Sequence, residues 1–180
     1  MVQHWPAPVE RVAAFLRAAG AEARLEEFSA ETATAADAAR AVGCDPAEIV
    51  KSLVVMCDGR AVIALVPGDR RGDTDKIATA VGAARARIAR GDEVRTATGF
   101  EPGAVAPFPL QGIEHIVVDR ALLLRRAVWV GAGSEEEGTA GDAGNLEGVA
   151  ETGGNVEAGA RFVEALGPGD LFPGRHEARE

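Results

Sequence analysis

The alternation of apolar and polar positions changes character along the chain. Near the start, Val9, Val12, Ala13 and Leu16 recur at the three- and four-residue spacing of a helix face, and Gly20 follows as a left-handed stop. This predicts a helix over residues 8–19. Thr34-Ala-Ala-Asp37 has the form of a capping box and opens an Ala-rich helix that ends at Gly43. Asp45-Pro46-Ala47-Glu48 then supplies a cap, a first-turn proline and an acid at the third position of another helical turn.

The next segment is apolar at consecutive positions. Ser52-Leu-Val-Val-Met-Cys57 and Ala61-Val-Ile-Ala-Leu-Val66 flank Asp58-Gly59-Arg60, and Asp-Gly between two apolar runs signals a hairpin. Both runs are apolar on both faces, which places them centrally in a sheet covered on each side. Beyond them the pattern predicts a helix over 74–81 closed by Gly82, a short strand over 85–89 and a helix over 92–97. Two further strands are expected over 115–119 and 127–131. Strands interleaved with short helices around a hairpin describe a single α+β domain with a mixed, mostly antiparallel β-sheet flanked by short helices.

Past Gly131 the pattern fades. Residues 131–159 hold nine of the 22 glycines, interleaved with acids, and so offer too little apolar surface to offset their ordering entropy. The domain core is therefore expected over residues 1–134, with an acidic Gly-rich flexible insertion over 135–155. A last element of open type, centred on Ala160-Arg-Phe-Val-Glu-Ala-Leu166, should fall within 156–170, and 171–180 should form a flexible tail.

Composition sharpens this picture in four ways. A chain of 180 residues suits one domain, and with aromatics at 4% and no Tyr its core must be built from Ala, Val, Leu and Ile. No apolar run approaches a membrane span, and the Glu10-Arg11 pair interrupts the one N-terminal stretch that could act as a leader. Cys44 and Cys57 are too few for a disulfide framework or a four-cysteine zinc site, so a cytoplasmic protein with reduced thiols is expected. Finally, the net charge of −9 is unevenly placed: residues 135–180 carry 11 acids against three arginines, which leaves the first 134 residues close to neutral. No basic stripe favours non-specific DNA binding.

Lysine is rare, and that makes each one informative. Of 19 basic residues only Lys51 and Lys76 are lysines. Lys51 lies in Glu48-Ile-Val-Lys-Ser-Leu-Val-Val55, flanked by apolar residues at a helix-to-strand junction. An ammonium there either reaches a cleft and an anionic or carbonyl partner, or lays its stem along the edge of the core with its head in water. Two glycine-rich turns, Gly103-Ala-Val-Ala-Pro107 and Gly131-Ala-Gly133-Ser134, are either ordinary turns or places where bare backbone N–H groups approach a ligand.

Other chemistries find no support. Gly68-Asp-Arg-Arg-Gly-Asp73 lacks the spacing and Lys-Ser/Thr of a phosphate-binding P-loop, and no G-x-S-x-G elbow is present. His4, His115 and His176 share no spacing with each other or with acidic residues that would suggest zinc or a base. Cys44 lies beside a helix start, where a thiolate could be favoured, but no base accompanies it.

In order and spacing, these segments resemble the YbaK family of aminoacyl-tRNA deacylases, related to the editing domain inserted in bacterial prolyl-tRNA synthetases. The matching stretches are Phe28, the helix from Thr34 to Gly43, Ile49-Val-Lys51-Ser-Leu-Val54 and Ala64-Leu-Val-Pro-Gly-Asp69. They continue with Thr98-Gly99, the G-x-x-x-P loop from Gly103 to Pro107, and Val130-Gly-Ala-Gly133. The resemblance implies hydrolysis of the ester that joins a wrong amino acid, typically cysteine or alanine, to the 3′ end of proline tRNA. It places the functional lysine at Lys51 and substrate contacts at Phe28, Thr34, Gly99, Gly103, Pro107, Gly131, Ala132, Gly133 and Ser134. It implies no cofactor or metal, and names the aminoacyl-tRNA 3′ end and prolyl-tRNA synthetase as partners.

The chain departs from the family pattern after Ser134, where Glu135-Glu136-Glu137 stands in place of a short basic stretch. Phosphate contacts normally dominate RNA affinity, so this departure keeps two other functions open. One is a non-catalytic module that binds aminoacyl-tRNA or a synthetase. The other is a hydrolase of small acyl esters or thioesters on the same scaffold.

Overall fold

The computed structural model describes residues 7–18, 34–107, 110, 112–113, 115–125, 127–132, 143–145 and 161–163. At its centre β1 (Ile49–Cys57) and β2 (Arg60–Pro67) pair antiparallel in unbroken register, from Val50 opposite Pro67 to Cys57 opposite Arg60. The two-residue turn between them needs left-handed backbone at both positions. Asp58 (φ 47°) and Gly59 (φ 84°) supply it. The Asp58 carboxylate also accepts the N–H groups of Ala84 (2.7 Å) and Arg85 (3.0 Å), which ties the hairpin tip to the chain beyond it.

Five more strands complete the sheet: β3 (Ala86–Ile88), β4 (His115–Val118), β5 (Trp129–Gly131), β6 (Ala143–Asn145) and β7 (Arg161–Val163). The order is β6-β5-β1-β2-β4-β7, with β3 also on β1. β1 runs antiparallel to β2 and β3, as does β5 to β6, whereas β1–β5, β2–β4 and β4–β7 are parallel. The long central ladder makes antiparallel pairing the larger share, as the sequence predicts. The outer edge of β1 is divided between two partners. Ile49 and Val50 pair with β5, and Val55 to Cys57 pair with β3. Among the described residues, Lys51, Ser52 and Leu53 form no ladder pair with either β5 or β3.

The helices are α1 (Ala7–Ala18), α2 (Ala35–Val42), α3 (Thr74–Ala80), α4 (Gly91–Thr98) and α5 (Arg120–Leu123). Thr34 caps α2, its Oγ1 accepting the Asp37 N–H at 3.1 Å, and Gly43 ends the helix at φ 79°. The Asp45–Glu48 signal forms a single 3-10 turn with a reciprocal box. Asp45 accepts the Ala47 N–H (2.8 Å), and Glu48 accepts that of Asp45 (3.1 Å).

Apolar side chains fill both faces of the sheet. On one, α1, α4 and the chain around Phe100 to Ile113 cover Val50, Val54, Ile63, Leu65, Ile116 and Val130. On the other, Ile77 of α3 packs with Val55, Cys57, Val62, Ala64, Val66 and Val117. Each fully buried Val or Ile contributes about 1.5–3 kcal/mol of transfer free energy, so these two layers hold the domain together.

Three expectations change. β1 begins at Ile49, which makes Lys51 the third residue of a strand instead of a residue at its entry corner. α5 was not foreseen: Asp119, read as the end of a strand, accepts the Ala121 N–H at 2.9 Å and starts a further turn. Ala143–Asn145, inside the stretch expected to be a flexible insertion, forms β6 on the edge of β5. The rest of 135–155 lies outside the described residues, as does 156–170 apart from β7, and all of 171–180.

Candidate functional site around Lys51

Strand alternation decides where Lys51 points. Val50 and Val54 pack into the larger core, and Leu53, Val55 and Cys57 pack on the opposite face. Lys51 belongs with the second set, as does its cross-strand partner Val66. The side chain is half-buried, and Nζ donates to the main-chain carbonyl oxygen of Arg70 in the loop after β2. Burial pulls the Lys51 pKa below its ordinary 10.5. Asp69 opposes that shift and Arg71 adds to it.

The register of β5 on β1 brings the glycine turn to the lysine. Val50 stands opposite Val130 in a parallel pair, so Lys51 and Gly131 are the next residues on adjacent strands, roughly 5 Å apart across the sheet. Val128, Val130 and Ala132 all join the larger core, which leaves Gly131 facing the same side as Lys51. Among the described residues, a Cβ placed on Gly131 would meet nothing within 4 Å, so these leave open space over this strand end next to the ammonium. Ala132 is 1% exposed and packs into the larger core.

The remaining predicted residues divide. Thr34 is exposed and caps α2, its Oγ1 donating to the Asp37 carboxylate at 2.6 Å. The start of that helix is pressed against the lysine's end of the sheet. A Cβ on Gly68 would approach Pro46 O to 2.4 Å and the Ala35 Cβ to 2.8 Å, so only glycine lets these segments meet. Gly99 (φ 72°) is the left-handed stop of α4, its N–H donating to Arg95 O at 2.9 Å, which accounts for that glycine structurally. In the G-x-x-x-P loop, Gly103 (φ 92°) is exposed and Pro107 is fully buried. Val105 and Ala106 join the core that holds Val50, Val130 and Ala132. This loop is therefore anchored beneath the opposite face of the sheet from the Lys51 side chain. Phe28, Gly133 and Ser134 lie outside the described residues.

One feature was missed from the sequence. A cleft of about 160 Å³ lies on the Lys51 face, with Ala64, Val66, Ile77 and Val117 in its lining and Arg70, Arg71, Lys76, Asp73 and Asp119 around it. The signal was present: the only two lysines of the chain both fall in this region, and Arg70-Arg71 stands between them. Seeing it requires knowing that α3 folds back over β2. Among the described residues no three His, Cys, Asp or Glu side chains gather into a metal-holding group. Burial raises the pKa of both thiols, and Glu48 and Asp45 raise that of Cys44 further, so neither is poised as a thiolate nucleophile.

Residues 29–144 match the family model of the aminoacyl-tRNA editing domain. The chain belongs to this family. Proline–tRNA ligase of Xanthomonas oryzae pv. oryzae is 34% identical over 131 residues, which cover 71% of this chain and 23% of the ligase. The chain thus spans about a quarter of the length of such ligases. The uncharacterized protein YwhH of Bacillus subtilis is 33% identical over 111 residues, covering 61% of this chain and 70% of that one. Among solved structures, a candidate trans-editing enzyme for prolyl tRNA synthetase superposes with a TM-score of 0.72 at 30% identity. That match covers 89% of this chain and 98% of the other. The family and the mixed α+β fold expected from the sequence are those found. Among the described residues no helix is long and apolar enough to cross a membrane.

Proposed function

We propose that the chain is a trans-editing deacylase that hydrolyses the ester between a wrongly attached amino acid, cysteine or alanine, and the 3′ end of proline tRNA. The observation that carries this reading is the register that seats Lys51 beside Gly131, over open space on one face of the sheet. An aminoacyl ester is already activated, so its cleavage needs positioning and charge stabilisation more than a strong nucleophile. Water adds to the ester carbonyl, the acyl C–O bond breaks, and the products are the free amino acid and the ribose hydroxyl of the tRNA. The Lys51 ammonium holds the negatively charged 3′ end as a point charge, and the bare backbone at Gly131 offers neutral donors to the developing oxyanion. Neither metal nor cofactor enters. A proline-tRNA synthetase is the natural source of the mischarged substrate, and a second sieve is useful there because binding alone rejects a slightly smaller side chain by only about 10–200-fold.

The test is a deacylation panel of cysteinyl-, alanyl- and prolyl-tRNA(Pro) with wild type and Lys51→Ala. The expected result is release of cysteine or alanine by wild type and its near loss in the variant. Equal rates would remove Lys51 from the mechanism. Tight binding of these tRNAs without release would make the chain a binding module instead. Equally fast hydrolysis of simple amino-acid esters would make it a general esterase.

A further inference from the structure

The cleft between α3 and the sheet has no part in ester cleavage itself, yet its charge is arranged for a ligand. Of the two acids on its rim, both are engaged. Asp73 accepts the N–H groups of Asp75 (3.1 Å) and Lys76 (3.2 Å). Asp119 accepts that of Ala121 and faces the Arg70 guanidinium at 3.4 Å. Arg71 and Lys76 have no ion pair among the described residues, and Lys51 nearby feels Arg71 as well as the opposing charge of Asp69. Like charges gathered at a half-buried wall repel one another, and an incoming anion relieves that repulsion. The position fits as well. Val66 lines the cleft and is the cross-strand partner of Lys51, so the cleft opens one strand away from the ammonium.

We infer that this cleft seats a backbone phosphate of the single-stranded 3′ end of the tRNA, with Arg71 and Lys76 as its two phosphate contacts and the Val66–Ile77–Val117 floor beneath the adjoining ribose. The inference rests on the deacylase reading and says how a domain with near-neutral charge meets an anionic substrate: the cations are few and are placed one nucleotide from the ester. Among the described residues no aromatic side chain lines the cleft, so these offer no stacking platform for a base. Its contribution is affinity and register, and the choice of tRNA is made elsewhere.

The experiment uses the full chain, with Arg71→Ala/Lys76→Ala compared against wild type on mischarged proline tRNA and on a small amino-acid ethyl ester. For the tRNA, KM rises about tenfold in the double variant while kcat holds, as expected for lost charge-assisted contacts. The slope of log KM against log salt falls by about 0.7, the contribution of one neutralised single-strand phosphate. Hydrolysis of the ethyl ester is unchanged. Lys76→Arg keeps the wild-type salt slope, and Arg85→Ala, just before β3 and beside the hairpin tip at Asp58, behaves as wild type. An unchanged KM and salt slope in the double variant would overturn the inference, as would an equal loss on the ethyl ester. If wild type releases no amino acid from any tRNA, the deacylase reading fails by itself. Binding of an uncharged acceptor-stem minihelix to the same variants then tests the cleft separately, by the same slope.

Discussion

The two faces of the central sheet are built from the same strands but finished differently. One is covered by α1, α4 and the side chains of Phe100, Val105, Ala106, Leu110 and Ile113, and buries Ile63 completely. The other carries a thinner cover, in which α3 is the helix that contributes to the core, and beside it lie Lys51, open space over Gly131 and the cationic cleft. Alternate residues of one strand serve both: Val50 and Val54 turn to the covered face, Lys51 to the open one. The division teaches that stability and chemistry can be altered separately here, side by side on β1.

The strongest way to break that division is Lys51→Ala. Deacylation should fall about 100- to 1,000-fold, the usual loss for one charge-stabilising group, while the melting temperature stays near that of wild type. Ile63→Ala should do the reverse, costing roughly 3 kcal/mol in chemical denaturation while the remaining folded protein keeps its kcat. A Lys51→Ala variant that is as unstable as Ile63→Ala would erase the distinction. Gly131→Val places a branched side chain in the open space, so kcat/KM should drop about tenfold, a modest steric loss, with little change in stability.

The pH dependence provides a finer test. Because burial lowers the Lys51 pKa, the wild-type to Lys51→Ala rate ratio should fall as pH rises through a value below 10.5. Keeping that ammonium in the fold costs stability below its folded pKa, and the cost fades as pH climbs toward 10.5. The smallest effect lies at Glu93, whose pKa falls to about 2 through its hydrogen bonds from Arg87 and the Arg90 N–H. Its stabilisation should be complete above the ordinary 4.5 and disappear as pH falls toward 2. Acid titration of Glu93→Gln by circular dichroism should lack that component.

What was legible in the sequence was local. Thr34, Gly43, Asp45 and Gly59 declare caps and a turn through their own backbone chemistry, and the structure places each where that chemistry puts it. α5 escaped because four residues are too short to show a helical period, and Asp119 ends a strand and caps a helix at once. β6 escaped because Ala143-Gly144-Asn145 has neither branching nor alternation, and its pairing comes entirely from β5. Among the candidate site residues, the lysine and its neighbour Gly131 could be nominated from composition and turn chemistry. Which face the Gly103–Pro107 loop packs against, and that Lys76 returns beside Arg71, depend on sheet register and a helix crossing that no local pattern encodes.

One contact of the lysine reaches further than its size. Its head rests against the peptide oxygen of Arg70, a dipole without formal charge. A carboxylate in that place would neutralise the cation and have to be displaced by each arriving substrate. It would also titrate in acid and could be lost by a single codon change. A peptide oxygen does none of these things. The lysine is thus steered by a support that every amino acid at position 70 would provide, and among the described residues no carboxylate forms an ion pair with it.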